Sequence, residues 1–452
     1  MSNSPSPALP PAHVAETPVL HLSELLKRPV TDSDGHVLGR LADVVVRLRG
    51  NDYPLVTALV LAVPGRRVFV PMEQVASFAP ERLVLASARV SLRPFERRDG
   101  EVLLRADVLG HRLVDVERGQ LVRPADIELA YAGGTWLVSC VDIRSHRRGR
   151  GLFRRGAAGH ACRDWKSFEP LIGHTPSALV RGPGRLRGLK AAQLADLLED
   201  ARKHEESEIL GRVHEDPELE ADVFEELEDD QASRLLAAKS DAEIAAVLAR
   251  MRADDAADAL GELPQARREP VLGLLPTGQR VKVRTLMGFN PTSAGGMMNL
   301  DFLAVPGDTA VAEALAAVAR SRNLQSEALT SVYVVDAGRR LTGAARLVAL
   351  VQADPVVTVS DVADPDPVRA RPDSDIEDVA LRMADYNLFT LPVVDDDNHL
   401  LGVITVDDVL ENVLPDDWRR REPPQPDTGE AHEPEPGAGQ QALHRKGEEG
   451  GP

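Results

Sequence analysis

The chain has 452 residues, of which 43% are hydrophobic and 27% charged, with a formal net charge of -18. That length suits roughly two to four domains, and the apolar fraction is ordinary for folded ones. The acidic balance disfavours nonspecific attraction to phosphate or anionic lipid and leaves attraction of divalent cations open, so no nucleic acid partner is expected. The longest apolar runs, such as Leu55 to Val63, fall far short of the roughly 20 residues that cross a bilayer, and no membrane span is expected. The N-terminus MSNSPSPALPPAH has no basic region leading into an apolar core and does not read as a secretion signal. Two cysteines, Cys140 and Cys162, are too few for a disulfide framework or a thiolate metal site without many further partners. A reducing, cytoplasmic setting follows as the expectation.

Residues 1–18 read as a disordered Pro/Ser tail. From Val19 to Ile143 short β-branched runs alternate with turn signals such as Thr31-Asp32-Ser33-Asp34-Gly35, predicting strands. Gly110-His111-Arg112-Leu113-Val114-Asp115 stands where Lys27-Arg28-Pro29-Val30-Thr31-Asp32 stood, which predicts two related β units, 19–95 and 96–143. The pattern resembles the PRC-barrel repeat, a small β-barrel used for docking. Residues 144–188 read as a basic, Gly-rich linker carrying Arg144, Arg147, Arg148, Arg150, Arg154 and Arg155. Such a cluster is either a solvated connector or a contact for lipid headgroups or RNA; His160 and Cys162 within it lack a third metal ligand nearby.

Short helices are predicted over 189–288. Asp216-Pro217-Glu218 places proline just inside a helix start, and Ser240-x-x-Glu243 forms a capping box ahead of Ile244, Val247 and Leu248. Two modules follow, 289–355 and 356–415, because Val332-Tyr333-Val334-Val335-Asp336 recurs as Leu391-Pro392-Val393-Val394-Asp395. The remainder, 416–452, is too polar and Pro/Gly-rich to bury a core and reads as a disordered tail. The predicted fold class is multidomain α+β, combining small β-barrel units, an α-helical superhelical stack and a tandem pair of βαββα modules.

The repeat resembles a tandem CBS pair, most clearly in Met383-Ala384-Asp385-Tyr386-Asn387 and Leu401-Gly402-Val403-Ile404-Thr405-Val406-Asp407-Asp408-Val409. Met251 to Leu260 and Ser293-Ala294-Gly295-Gly296-Met297-Met298 resemble the helical N domain of MgtE-type magnesium channels and its junction with CBS. The resemblance covers about Leu189 to Val413. Members of that family continue into a transmembrane pore, whereas a polar tail follows here, so the resemblance implies the sensing part without a conduction path.

What it implies is a non-enzymatic regulator that binds Mg²⁺ between the helical domain and the CBS pair. Magnesium takes carboxylate, carbonyl and water oxygens and keeps several waters. The matching positions are Asp254 and Asp258, one helical turn apart; Asp375 and Glu377, at a helix start after Ser374; the carbonyl of Ala384; and Asp408 and Glu411 on the last helix. Asn387 replaces a residue that is acidic in the family. Each carboxylate also has a purely structural reading, since Ser374-x-x-Glu377 is itself a capping box and Asp375 would meet the helix dipole. An alternative ligand is ATP or AMP, because Gly402-x-x-Thr405-x-x-Asp408 resembles the adenosyl-binding signature of CBS modules; the first module lacks its Thr and Asp. A third reading is a ligand-free docking adaptor. The partners the resemblance implies are a second copy through the CBS pair and an unidentified protein of the membrane-transporter kind. No nucleophile elbow, P-loop, dinucleotide loop or acid/base pair points to an enzyme.

Overall fold

The computed structural model describes residues 18–87, 93–94, 96–98, 100–143, 162–171, 184–322 and 324–414. The expected terminal tails and the arginine-rich segment 144–161 lie outside them. The chain divides into two units, Met1–Pro291 and Thr292–Pro452.

The first unit opens with a curled 12-stranded sheet built around the hairpin Val37–Arg49/Asp52–Val63. The two expected β copies exchange strands. Val19–His21, ahead of the short helix Leu22–Leu25, pairs with Asp126–Ala132 of the second copy, while Glu101–Leu103, ahead of the helical turn Leu104–Leu109, pairs with Val37–Arg49 of the first. Aspartates seal both crossings. Asp126 accepts the amide and hydroxyl of Ser23 at 3.0 and 2.5 Å, and Asp43 accepts the amides of Arg105 and Ala106 at 2.8 and 3.1 Å. Each thereby satisfies helix-start N–H groups that the helix itself leaves unpaired. The copies also share their turns: Asp32 accepts the amides of Asp34 and His36, and Asp115 those of Glu117 and Arg118.

This exchange corrects two boundaries. One apolar core runs from Leu20 to Phe168, so the division at residue 95 passes through a single packed body. Residues 162–171 are not linker: the strand Cys162–Asp164, the turn Trp165–Ser167 and the strand Phe168–Pro170 repeat the order Arg66–Pro71, Met72–Gln74, Val75–Ala79. Trp165 and Phe168 are buried in the core. The cysteines are not reduced either; Cys140 and Cys162 form a disulfide with a Cα–Cα distance of 5.7 Å. Strand pairing sets Cys140 opposite Asp164 and Cys162 opposite Asp142. The two sulfurs thus meet diagonally on one sheet face, a proximity that their sequence separation conceals.

Eight helices follow from Ala191 to Leu286. Pro217–Glu225 packs on Ala191–Asp200, Asp241–Leu248 on Pro217–Glu225, and Gln265–Leu274 on Asp241–Leu248, giving the stack its superhelical course. The predicted starts are present: Asp216 caps with Pro217 inside, and Ser240 and Glu243 cap reciprocally. Arginines fix the stack to the β region. Arg112 bridges the Glu205 carboxylate and the side chain and carbonyl of Asp200, and Arg212 reaches Glu169 and the Pro170 carbonyl, both at 3.0 Å.

The second unit holds two modules related by an internal repeat. The hairpins Ser331–Val335/Leu341–Arg346 and Thr390–Val394/Leu400–Thr405 turn alike, with Asp336 accepting the amides of Gly338 and Arg340, and Asp395 those of Asp397 and His399. Arg339 and Asn398 take left-handed backbone at φ 63° and 66°. The hairpins meet tip to tip, since the Leu341 amide donates to the Asn398 carbonyl and the Leu400 amide to that of Arg339. Tyr333, Leu341, Val394, Leu400 and Val403 form the shared core between them. Connecting chain crosses each hairpin, Asp364 against Ala344 and Asn299 against Val403. These crossings need Gly343 and Gly402: a Cβ on Gly402 would lie 2.8 Å from Met298.

Candidate functional site

The helix Ala253–Glu262 begins one residue after Arg252 and carries Asp254, Asp255 and Asp258. Spacing of four sets Asp254 and Asp258 on one face. Asp254 is buried at 5% exposure. Glu225, at the end of Pro217–Glu225, joins them by accepting the Arg252 amide at 2.5 Å, while the Arg252 guanidinium sits 2.6 Å from Asp255 and 3.7 Å from Glu225. Several carboxylates therefore crowd around one guanidinium. Burial pushes Glu225 up to about 7, with the Asp222 and Asp254 charges adding to it against Arg252. Burial and the Asp254 charge raise Asp255 well above the carboxylate range. Asp258 rises to about 7 from desolvation and the same neighbour; its side chain reaches solvent, which screens part of that repulsion.

Such a face is an oxygen-rich, electrostatically strained surface that a hard divalent cation would relieve. Glu225 and Asp255 were not singled out from sequence. The doublet Asp254-Asp255 was a visible signal for one of them. Glu225 lies on a different helix of the stack, and only the superhelical packing brings it near.

In the second unit Asp375, the Ala384 carbonyl, Thr405 and Asp408 take part in helix ends. Asp375, not Ser374, caps the helix Ile376–Asp385 and accepts the Glu377 amide at 2.9 Å; Ser374 instead accepts the Arg371 amide. The Ala384 carbonyl receives the amides of Tyr386 and Asn387 at the helix end. Asn387 has φ 51°, the left-handed conformation that asparagine tolerates better than a β-branched or bulky residue when a helix must stop. Thr405 and Asp408 face each other, the Thr405 hydroxyl donating to Asp408 at 2.5 Å at the start of Val406–Val413. Both are buried. Glu411 lies on that helix, and its side chain is outside the described residues.

A cavity of about 310 Å³ opens between the modules, walled by Ser331, Tyr333, Arg346, Asp364, Tyr386 and Thr390 among others. Thr405 and Asp408 do not line it. The adenosyl signature read from sequence therefore does not point to this cleft. Its charged lining residues are the first module's Arg346, in the position equivalent to Thr405, and the connecting Asp364. Tyr386, which is largely exposed, also lines it.

Residues 189–292 match the family model described as MgtE intracellular N domain, and residues 359–415 match the CBS domain. The helical stack is thus similar to an MgtE intracellular N domain, and the second of the two repeated modules to a CBS domain. A magnesium transporter MgtE of Thermus thermophilus is 38% identical over 161 residues, covering 35% of this chain and 36% of that protein. The Enterococcus faecalis magnesium transporter MgtE is 30% identical over 130 residues, covering 29% and 28%. The chain spans about a third of the length of these curated relatives. A solved structure of the cytosolic domain of the Mg²⁺ channel MgtE in complex with ATP is 30% identical, with a TM-score of 0.48, covering 50% of this chain and 92% of that one. No helix among the described residues is long and apolar enough to cross a membrane.

Proposed function

We propose that this chain is a non-enzymatic, magnesium-responsive regulator. Mg²⁺ binding to carboxylates of the helical stack and of the CBS pair changes their arrangement and is read by a separate protein, a membrane transporter being the kind of partner its relatives suggest. The observation that carries this reading is the acidic face where Glu225, Asp255 and Asp258 gather around Asp254, the first three held at raised proton affinity by burial and, after it, by neighbouring carboxylates. Without an ion those charges repel; a bridging cation offsets the repulsion and selects one conformation. A small ion that keeps most of its waters suits a millimolar range. Exposed apolar side chains on the CBS helices, Val348, Val351, Leu381 and Leu410, support pairing of two copies through that unit.

Small-angle scattering of the full chain across a Mg²⁺ titration tests it. The expected result is compaction that is lost when Asp254 and Asp258 are both replaced by alanine. An unchanged response in that variant would remove the stack from the sensor.

The cleft supports a second reading, an adenine nucleotide held between the modules, with Arg346 toward phosphate and Asp364 toward ribose. Calorimetric titration with ATP and AMP should then give heat that Arg346→Ala lowers about tenfold in affinity, by loss of a charge-assisted contact. Heat retained in that variant would place the nucleotide elsewhere.

A further inference from the structure

The β region holds a cluster with a different chemistry from the acidic face. A carboxylate oxygen of Glu128 and the sulfurs of Cys140 and Cys162 all lie within 4.8 Å of one another. They come from three neighbouring strands: Asp126–Ala132 pairs with Thr135–Asp142, which pairs with Cys162–Asp164, and Glu128 stands directly opposite Cys140. A bulge follows at Glu128/Leu129, and Ser139 within it donates its hydroxyl to Glu128 Oε1 at 2.8 Å. Bulges re-aim side chains, and a hydroxyl on a carboxylate orients it. All three residues are half-buried, so the group is shielded yet reachable from solvent.

We propose that the reduced form of this pair, Cys140 and Cys162 together with Glu128, binds Zn²⁺, and that formation of the disulfide expels it. Two thiolates and one carboxylate make a ligand set for a borderline-soft cation, with the fourth tetrahedral position left to water. The same set is poor for magnesium, which wants oxygen alone. At a Zn–S length of about 2.3 Å, tetrahedral thiolates stand roughly 3.8 Å apart. The Cα–Cα distance of 5.7 Å suits either state, so rotation about the cysteine side chains converts one into the other without moving the strands.

The redox step closes. A dithiol reductant attacks the disulfide through its thiolate, two electrons pass to the cysteine sulfurs, and the reductant's own sulfurs become a disulfide. Cys140 and Cys162 end as thiols, and Zn²⁺ displaces one proton from each on binding. In the reverse direction a small-molecule disulfide accepts the two electrons and leaves as its two thiols, the Cys140–Cys162 disulfide forms, and the metal, left without thiolates, departs.

Zinc uptake by the full chain, measured by elemental analysis after gel filtration, should reach one ion per chain in the dithiol-reduced form and none in the oxidised form. Addition of Mg²⁺ in large excess should not change it. With Co²⁺ in place of Zn²⁺, a near-ultraviolet thiolate-to-cobalt charge-transfer band should appear and should vanish in Cys140→Ser and in Cys162→Ser. Glu128→Gln, which keeps both thiols, should weaken zinc roughly tenfold or more against a chromophoric chelator. Absence of the charge-transfer band in the reduced wild-type chain overturns the proposal, as does zinc uptake that survives both cysteine variants. Should either cysteine variant fail to fold, the folded Glu128→Gln chain decides: affinity equal to wild type sinks the three-ligand site.

Discussion

At the scale of single residues the chain spends its aspartates in two ways. Asp43, Asp126, Asp32 and Asp115 satisfy backbone N–H groups where helices and turns begin. Burial pushes Asp43 above its ordinary value even though the amides of Arg105, Val44 and Ala106 pull against it, which marks a side chain kept for its bonds. Asp43→Ala should therefore lower unfolding free energy by about 2–4 kcal/mol in urea titration, since it orphans buried donors; a change under about 0.5 kcal/mol would show that water replaces the carboxylate. On the stack face Asp255 is instead held by the Arg252 guanidinium at 2.6 Å, and burial raises Asp258. Asp258→Asn should raise the melting temperature of the metal-free chain slightly and reduce the further rise that Mg²⁺ gives. A Mg²⁺ effect equal to wild type would free Asp258 of any role in binding.

Between elements the decisive contacts are arginine bridges. Burial pushes Glu205 up, but the bonds from Arg112 and the Arg202 amide outweigh it and hold the carboxyl below its usual range. Arg112→Ala leaves Glu205, 3% exposed at the side chain, buried without its main counter-charge, a loss of about 3–5 kcal/mol for such pairs. Hydrogen exchange should then show faster opening of Ala191–Asp200 and Lys203–Val213 than of the strand core; uniform protection would mean that Arg212 and apolar packing suffice. The elements themselves were legible from sequence wherever a local rule governs. The cap at Asp216-Pro217, the capping box at Ser240 and the paired Asp turns at Asp336 and Asp395 all appear where the residues place them. The cap at Asp375 did not follow the Ser374-x-x-Glu377 pattern, because Ser374 already serves the Arg371 amide.

For the whole molecule, pH and metal should act together. Glu225 binds its proton more tightly when folded, at about 7 against 4.5, and Asp255 is raised likewise. The folded chain therefore holds more protons than the unfolded one between those values. Stability is greatest below about pH 4.5 on this account and falls as pH climbs toward 7. Thermal melts of the metal-free chain should decline across that window, and Mg²⁺ should stabilise more at pH 8 than at pH 6, because it binds the ionised groups. A Mg²⁺ increment independent of pH would separate the ion from these carboxylates.

The sequence by itself determined the order of modules, the CBS repeat, the helical stack and the doubling of the β region, because each rests on local periodicity, turn chemistry or internal repetition. Tertiary structure alone decided that the two β copies exchange strands around one core, that Cys140 and Cys162 touch, that Glu225 joins Asp254 and Asp255, and that the CBS cleft is walled by Arg346 and Asp364 while Thr405 and Asp408 bond to each other. The physical reason is common to all four. Each depends on residues far apart in the chain being brought together by strand pairing or helix stacking, and no local rule of spacing encodes such a meeting.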